Sequence, residues 1–394
     1  MLISVDRRQS RVCYRYVDGI FSSIPILADF VERRTSDSLD LKNNLSIEIH
    51  ASSFRGLRGY SVVCAVLDEV AYYRDETSAN PDIEIVNAIR PGMSNVPGAL
   101  LLAISSPYAR KGILWDAYKR FYGVENDRIL VWQADSQTMN PTLDPEVIRV
   151  AYEEDEAVAG AEYGALFRRD IESFVDREIV GGCVIPERRE LPYLTENQYM
   201  AFCDPSGGSS DSMTMAVSHK DKGGRIVLDA IRERKPPFSP EDVVKEFVET
   251  LEAYKIHKIQ GDRYAGEWPR ERFRIHGIDY KVAEKPKSDI YKGFLPLLNS
   301  KRIELLDNPR LFAQIVGLER RTGHGGRDSI DHGPGSHDDL ANVVAGSLIM
   351  ASAERVSPGF FFVSPGNRGP DLQEKFVENF NKPNRFTEKF DRGD

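Results

Sequence analysis

Apolar segments and helical stretches alternate along roughly the first third of this 394-residue chain, as they do in an α/β domain. Four apolar segments are predicted to be strands, at residues 2–5, 46–49, 62–67 and 99–104. The last two are almost continuously apolar, which suits parallel strands that are buried on both faces. The pattern therefore predicts a parallel sheet in the N-terminal part of the chain.

Polar residues follow the last two of these strands. Asp68 and Glu69 follow one strand, and Ser105 and Ser106 follow the other. Open α/β sheets bind ligands just outside the carboxyl ends of their strands. In P-loop ATPases an Asp at such a strand end holds Mg²⁺, and a neighbouring Glu lies beside the attacking water. The Asp-Glu pair therefore predicts the metal-binding half of a nucleotide site.

The other half of such a site, the phosphate-binding motif G-x-x-x-x-G-K-[ST], is missing from this sequence. The chain contains no Gly-Lys dipeptide, and the next candidate, GLRG at residues 56–59, has the wrong spacing and no lysine. Without that loop the nucleotide phosphates lose their backbone N–H donors and the lysine charge. We therefore expect that this chain alone does not hydrolyse ATP at the rate of a motor protein.

A second α/β unit is predicted to begin near residue 198. The pattern gives a strand that ends at Asp204, two strands joined by a turn at residues 220–224, a helix, and a strand that carries Asp262. This order resembles the opening of an RNase H-like fold. The predicted organisation is a partial ATPase-type domain at residues 1–139, an acidic helical linker at 140–195, an RNase H-like nuclease domain at 196–355 and a flexible tail at 356–394.

Carboxylates stand at three separate places in the second unit. Asp204 and Asp262 lie at predicted strand ends, and Asp338 and Asp339 lie at the start of a predicted helix. Each has an ordinary structural explanation, namely an Asp-Pro turn, a surface loop and a helix cap. Together, in the order that RNase H-like nucleases use, they are expected to converge on one acidic pocket.

Such a pocket needs cations, because carboxylates at close range repel one another strongly. Two divalent ions about 3.5–4 Å apart would activate water and stabilise the leaving 3′ oxygen in phosphodiester hydrolysis. Ligands that are all oxygen favour Mg²⁺ or Mn²⁺ over zinc. The predicted activity is therefore metal-dependent DNA cleavage.

Charge alone leaves the question of a nucleic-acid partner open. The net charge is −9, which on its face argues against such a partner. Residues 144–178 carry 11 acidic and 4 basic residues, whereas residues 255–302 carry 12 basic and 6 acidic residues. The basic stretch is either a phosphate-binding surface or a solvated face.

Several classes of protein are excluded by the remaining composition. No apolar run approaches the roughly 18 residues that span a bilayer, and the N-terminus lacks the apolar stretch of a signal peptide. The four cysteines are scattered without C-x-x-C spacing, which argues against a zinc site or a disulfide framework and for a reducing compartment.

Six segments together resemble the large subunit of the tailed-phage terminase, the DNA-packaging motor, over roughly residues 1–355. They are SVDRRQSRVCYRY, RGLRGYSVVCAVLDEVAYY, LLAISSPYARKGILW, CDPSGGSSDSMTM, GDRYAGEW and SHDDLANVVAGS. Each segment is weak alone, and six in the right order are specific. The resemblance implies endonucleolytic cleavage of concatemeric viral DNA and ATP-driven packaging into the procapsid.

The resemblance also implies roles for individual residues. Asp68 would hold Mg²⁺ with ATP, and Glu69 would orient the hydrolytic water. Ser105 and Ser106 would form the coupling motif that senses the nucleotide state. The nuclease metal ligands would be Asp204, Asp262 and either Asp338 or Asp339. Contacts to DNA or to a neighbouring subunit are expected among Arg55, Arg58, Lys285 and Lys287, although solvated loop arginines are the favoured explanation for the first two.

The partners that the resemblance implies are double-stranded DNA, the portal protein, a terminase small subunit and further copies of this chain in a ring. They would meet in the host bacterial cytoplasm, without a membrane. Because the phosphate-binding loop is missing, ATP-Mg is expected only if that loop is supplied elsewhere. Three explanations for the missing loop stay open: a split or interrupted gene, a misassigned start codon or partial record, and a decaying prophage copy.

Two other functions remain as alternatives. One is a stand-alone RNase H-like resolvase or transposase-type nuclease, which the Asp-Glu and Ser-Ser-Pro strand ends disfavour. The other is a catalytically dead structural protein that docks on the portal. A tail that binds a partner suits either the terminase or the docking protein.

Overall fold

The computed structural model describes residues 1–52, 56–75, 78, 80–209, 211–262, 268–322 and 328–353. Arg55 and the predicted tail at residues 356–394 therefore lie outside the described residues. Within the described part of the chain, no helix combines the length and apolar character that crossing a membrane requires.

The N-terminal part builds a six-stranded sheet. Its strands are β1 (Leu2–Ser4), β2 (Val31–Arg34), β3 (Ser38–Leu41), β4 (Ser46–Ala51), β5 (Cys64–Asp68) and β6 (Leu100–Ile104). Its helices are α1 (Arg7–Ser23), α2 (Pro25–Ala28), α3 (Pro81–Ser94), α4 (Gly112–Phe121) and α5 (Ser136–Met139). The strand order is β2-β3-β4-β1-β5-β6. Strands β4, β1, β5 and β6 run parallel, while β2 and β3 are antiparallel additions.

The four strands that the apolar pattern predicts are all present. Strands β2 and β3 escape prediction because each is only four residues long: VERR is mostly charged, and SLDL has only two apolar positions. The core of this part lies between the sheet and α3, where Ile3 and Leu67 pack with Ile85 and Ile89.

One prediction about this sheet is wrong: β6 is not buried on both faces. Leu101 packs against the core, but Leu100, Leu102 and Ile104 on the opposite face are 51%, 42% and 56% exposed. Among the described strands β6 pairs only with β5, so it is the edge of the sheet. The described residues supply no strand on the other side of β6 that would make it an interior strand.

The connecting region is helical only in part. Helices α6 (Pro145–Glu154) and α7 (Glu156–Glu162) follow the predicted pattern, and β7 (Ile171–Ser173) and α8 (Arg177–Gly181) come after them. Strand β7 is antiparallel to a strand from much later in the chain, with Arg320 opposite Glu172. The connector is thereby joined to the C-terminal part by a ladder of backbone hydrogen bonds.

The C-terminal part builds a second six-stranded sheet. Its strands are β8 (Tyr199–Asp204), β9 (Met213–Lys220), β10 (Ile226–Arg234), β11 (Lys258–Gly261), β12 (Asp279–Val282) and β13 (Ile303–Glu304). Its helices are α9 (Pro240–Ala253), α10 (Trp268–Ile275), α11 (Lys287–Asn299), α12 (Pro309–Gly317) and α13 (Asp339–Ala353). The strand order is β12-β11-β8-β9-β10-β13.

This sheet has the RNase H-like topology that the sequence predicts. Strands β8, β9 and β10 form an antiparallel meander, and β11 and β12 extend the sheet in parallel on the other side of β8. A smaller sheet consists of β7, β14 (Leu318–Thr322) and β15 (Asp328–His332), in the order β15-β14-β7. The fold is therefore α/β, with a parallel-containing sheet followed by an RNase H-like sheet.

Helix α13 is buried on nearly all sides, because β8 and β9 cover one side and α11 and α12 the other. A glycine makes the close approach to the sheet possible. A Cβ atom at Gly346 would lie 2.5 Å from the ring of Phe202 in β8. This tight packing fixes the start of α13 relative to the carboxyl end of β8.

Candidate metal centre

Asp204 and Asp262 meet at one edge of the second sheet. Asp204 ends β8 and Asp262 directly follows β11, and these adjacent strands run parallel. The carboxyl ends of parallel strands lie at the same edge, so the two side chains converge. Asn342 of α13 bridges them, because its Nδ2 atom donates to Asp204 Oδ2 at 2.8 Å and to Asp262 Oδ2 at 3.4 Å.

Asp339 brings a third carboxylate from the start of α13. Its backbone carbonyl accepts a hydrogen bond from Thr214 Oγ1 at 3.0 Å, which ties the helix start to β9. Burial and then the neighbouring charge of Asp338 raise the pKa of Asp339 to about 6.

The pKa of Asp204 reports the same crowding. Burial raises it to about 7 and the charges of Asp262, Asp339 and Asp338 add to the rise, against the opposing hydrogen bond from Asn342. The structure thus brings together residues from β8, β11 and α13 in one electrostatically coupled group. A group of this kind holds a proton near neutral pH when it holds no cation.

The donor atoms in this group fit a hard divalent cation. Asp339 Oδ2 and Asn342 Oδ1 are buried and accept no hydrogen bond from any described residue. A buried acceptor without a donor is costly, and a cation would satisfy it. All the side-chain acceptors are oxygens, the ligand type that Mg²⁺ and Mn²⁺ prefer.

Asp338 is placed differently from its neighbour Asp339. Its side chain is buried, with the residue 5% exposed, and its Oδ2 atom accepts a hydrogen bond from the Tyr291 hydroxyl at 2.8 Å. The Lys287 ammonium lies 3.0 Å from the same oxygen and 2.7 Å from Asp331 Oδ1. Of the two adjacent aspartates, Asp338 is therefore occupied by protein partners.

The carboxylates of the N-terminal sheet occupy the equivalent position on that sheet. Asp68 ends β5, and its Oδ2 atom accepts hydrogen bonds from Ser4 Oγ at 3.2 Å, Gln9 Nε2 at 3.3 Å and Cys13 Sγ at 3.3 Å. These donors from β1 and α1 hold the carboxylate at the sheet edge. No sequence pattern points to Gln9 and Cys13, which reach Asp68 only through the fold.

Glu69 and Ser105 are in direct contact. Ser105 Oγ lies 3.2 Å from Glu69 Oε2 and also accepts from the Ala71 amide at 3.2 Å. Glu69 has a left-handed backbone with φ of 55°, and burial raises the pKa of its carboxyl. The ends of β5 and β6 are therefore linked through side chains, and Ser106 contributes its carbonyl to the same turn.

The basic residues singled out in the sequence are dispersed. Arg58 and Lys285 are exposed, and neither forms an ion pair with another described residue. Lys287 is instead drawn into contact with Asp338.

Sequence reasoning missed Asn342, although its position three residues after Asp339 in a helix places it on the same side.

Glu319 connects the N-terminal part to the hairpin of β14 and β15. It is fully buried, and its Oε atoms lie 2.8 Å from the Tyr108 hydroxyl and 3.2 Å from Lys111 Nζ. Tyr108 follows directly on the Ser105-Ser106-Pro107 strand end. A cleft of about 250 Å³ lies beside this contact, with Glu319 and Lys111 in its wall.

No family model matches this sequence, and no curated protein does. Solved structures of phage large terminases are similar to it in fold. The bacteriophage HK97 large terminase is 15% identical, with 89% of this chain and 83% of that chain covered and a TM-score of 0.39. The thermophilic phage G20c large terminase nuclease with bound magnesium is 14% identical, with 45% and 96% covered and a TM-score of 0.39. The large terminase of thermophilic bacteriophage D6E in complex with ADP is 13% identical, with 89% and 85% covered and a TM-score of 0.36.

Proposed function

We propose that this chain acts as the large subunit of a phage-type terminase and that its C-terminal part cleaves DNA with the help of divalent metal ions. One observation carries the proposal. Carboxylates from two adjacent parallel strands and a helix start converge on an RNase H-like sheet, and a buried carboxylate oxygen there, Asp339 Oδ2, lacks a donor among the described residues.

The proposed metal ligands are Asp204, Asp262 and Asp339. When bound, Mg²⁺ or Mn²⁺ would activate a water and stabilise the leaving oxygen of the phosphodiester. Asn342 holds the Asp204 and Asp262 carboxylates at a fixed separation through its amide. Asp204, with a pKa near 7, must give up its proton before it can serve as a ligand.

The test is plasmid cleavage in the presence of Mn²⁺. The wild-type chain is expected to nick and linearise supercoiled plasmid, and Asp204→Ala or Asp339→Asn is expected to slow this by about 100-fold or more. Asp279→Asn is the matched control, because Asp279 is an exposed carboxylate in the same sheet. Absence of cleavage, or cleavage that survives Asp204→Ala, would overturn the proposal.

The same assay addresses the alternatives. Strong preference for a four-way junction over linear duplex would favour a stand-alone resolvase. A protein that binds no Mn²⁺ in calorimetry would favour a structural docking role. The terminase role carries with it double-stranded DNA, the portal, a small subunit and a ring of subunits as proposed partners, in the host cytoplasm.

For the N-terminal part we propose a nucleotide site that is completed by a phosphate-binding loop from outside residues 1–394. Asp68 would hold Mg²⁺ with the nucleotide, and Glu69 would orient the hydrolytic water. Ser105 would sense the state of the nucleotide through its contact with Glu69. The uncovered edge of β6 supports this proposal. A strand added there in parallel would end beside Ser105 and Ser106, one strand away from Asp68 and Glu69, and would deliver its loop to the same edge of the sheet.

An exposed apolar segment that forms no strand supports the same idea. In residues 129–132 (ILVW), Leu130 and Trp132 are 89% and 76% exposed, and the segment forms no regular secondary structure. We expect no ATP hydrolysis at a motor rate from the 394-residue chain. Robust hydrolysis that Glu69→Gln abolishes would overturn this part of the proposal.

A further inference from the structure

Lys287 occupies a position between two carboxylates next to the candidate metal centre. Its ammonium nitrogen lies 2.7 Å from Asp331 Oδ1 and 3.0 Å from Asp338 Oδ2. Its side chain is 29% exposed, whereas that of Asp338 is 7% exposed. The lysine thus reaches from solvent into a partly buried acidic group and neutralises part of its charge.

A histidine completes this group. Ligand atoms of Asp331, His332 and Asp338 all lie within 4.8 Å of one another, which is close enough for them to share one ion. His332 Nδ1 lies 2.9 Å from the carbonyl oxygen of Gly333. Because a carbonyl only accepts, Nδ1 carries the proton in the neutral ring and Nε2 keeps its lone pair. Two carboxylates and one imidazole nitrogen suit a divalent transition metal.

The group is mechanically tied to the metal centre. Tyr291 lies one helical turn after Lys287 in α11, and its hydroxyl donates to Asp338 Oδ2 at 2.8 Å. The Asp338 carbonyl accepts from the Asn342 amide at 2.8 Å, which is the first backbone hydrogen bond of α13. The side chain of Asn342 in turn holds Asp204. Any shift of Asp338 is therefore passed on to the carboxylates of the centre.

We propose that the Lys287 ammonium is a tethered cation that fills the position which a divalent ion would otherwise take between Asp331 and Asp338. Asp338 is then a positioning residue, held by Lys287 and Tyr291, and only its neighbour Asp339 serves as a ligand. The ammonium offers no open coordination site, so water is not activated at this position. A chelator cannot remove it, so the start of α13 stays neutralised in the metal-free protein.

The test counts Mn²⁺ ions by electron paramagnetic resonance and calorimetry on the full chain. Lys287→Met is expected to bind one more Mn²⁺ than wild type, since the three ligands are then free to share an ion. Adding Asp331→Asn should remove that extra ion. Lys287→Arg, which keeps the charge, should bind the wild-type number. Equal counts for wild type and a folded Lys287→Met would overturn the proposal.

A second variant keeps the test decisive if Lys287→Met does not fold. Asp331→Asn in the wild-type background removes a partly exposed carboxylate and leaves the lysine in place. The Mn²⁺ count is expected to stay unchanged. A lost ion would mean that Asp331 is already a metal ligand, which would overturn the tethered-cation role.

The functional half of this inference rests on the proposed nuclease. Lys287→Met is expected to cut plasmid about tenfold more slowly and to need more Mn²⁺ for half-maximal rate, because Asp338 and α13 lose their anchor. Lys287→Arg should recover most of the rate. If no variant cuts DNA but the ion counts follow the expected pattern, the nuclease proposal fails and the tethered cation stands. If wild type cuts DNA but wild type and Lys287→Met bind equal numbers of Mn²⁺ ions, the nuclease proposal stands and the tethered cation fails.

Discussion

Tyr108 and Glu319 are 211 residues apart in the sequence, and the tyrosine hydroxyl donates to the buried carboxylate at 2.8 Å. The bond joins the turn after β6 to the hairpin whose second strand ends at His332. Lys111 reaches the other Glu319 oxygen at 3.2 Å. Glu319 is therefore the polar anchor between the segment that follows Ser105 and the segment that leads to Asp338.

Replacing this anchor should destabilise the protein. Glu319→Gln leaves Lys111 and Arg321 without their carboxylate, and we expect a loss of about 2–4 kcal/mol in the free energy of unfolding. Tyr108→Phe removes one hydrogen bond to a buried charged group and should cost about 1–2 kcal/mol. Urea denaturation followed by circular dichroism measures both. An ordinary surface substitution changes the free energy of unfolding by less than about 0.5 kcal/mol, and a change that small in Glu319→Gln would contradict the role of Glu319 as an anchor.

The same residue predicts a pH dependence. Burial alone would raise the pKa of Glu319, but Lys111, Tyr108 and Arg74 overcome this and hold the pKa below its ordinary value of 4.5. Because the folded pKa is the lower one, the stabilisation is complete above pH 4.5 and is lost as the pH falls through the folded pKa. The stability difference between wild type and Glu319→Gln should therefore shrink in acid. A difference that grows below pH 4.5 would contradict it.

A third prediction concerns the packing of α13. Gly346→Ala would place a Cβ atom 2.5 Å from the Phe202 ring, and we expect a loss of about 1–3 kcal/mol from overpacking. Gly317→Ala is the control, because a Cβ atom there meets nothing within 4 Å. Thermal and urea denaturation compare the two. Partial recovery in the double variant Gly346→Ala with Phe202→Leu would tie the loss to this contact, whereas equal effects at both glycines would refute the packing argument.

Metal binding should depend on pH in the neutral range. The pKa values of Asp204 and Asp339 are raised to about 7 and about 6, and both groups must lose their protons to act as ligands. Mn²⁺ affinity should therefore rise between about pH 6 and pH 8, with release of protons. Calorimetry in two buffers of different ionisation enthalpy measures that release. Asp204→Asn should flatten the dependence, and an affinity that is flat in wild type would count against the assigned ligands.

The metal-free protein should show the opposite trend in stability. The folded pKa of Asp204 lies above its ordinary value of 3.8, so the folded state binds more protons than the unfolded state between pH 3.8 and about 7. Stability from this group is complete below pH 3.8 and falls as the pH rises through about 7. Saturating Mn²⁺ should reverse the loss. The free energy of unfolding, measured at pH 5 and pH 8 with and without Mn²⁺, tests both the fall in stability and its reversal by the ion.

Much of the fold is predictable from the sequence because its strands are apolar and its turns are distinctive. The order of β8, the β9–β10 hairpin, α9 and β11 follows from local pattern, and so do the ends at Asp204 and Asp262. Local pattern cannot reveal β7, β14 and β15, since their residues are charged and their pairing joins distant parts of the chain. It also placed β6 in the interior, because apolar composition does not tell whether a neighbour is present.

The candidate site was predictable in its carboxylates and not in their partners. Asp68, Glu69 and the Asp338–Asp339 pair stand at strand ends or a helix start, where polar residues are conspicuous. The partners that assign different roles to Asp338 and Asp339 come from elsewhere, since Tyr291 lies 47 residues before Asp338. Only the folded chain distinguishes the two aspartates.

The uncovered face of β6 has a practical consequence for the protein in solution. An edge strand with unpaired backbone groups and an apolar face is a template on which further chains can pair. The isolated chain is therefore expected to self-associate with rising concentration, and Leu102→Lys should suppress this without loss of folding. Sedimentation velocity over a concentration series measures the effect, and a strictly monomeric wild type would contradict it. The solubility of the protein is therefore expected to depend on whether another strand covers the exposed edge of β6.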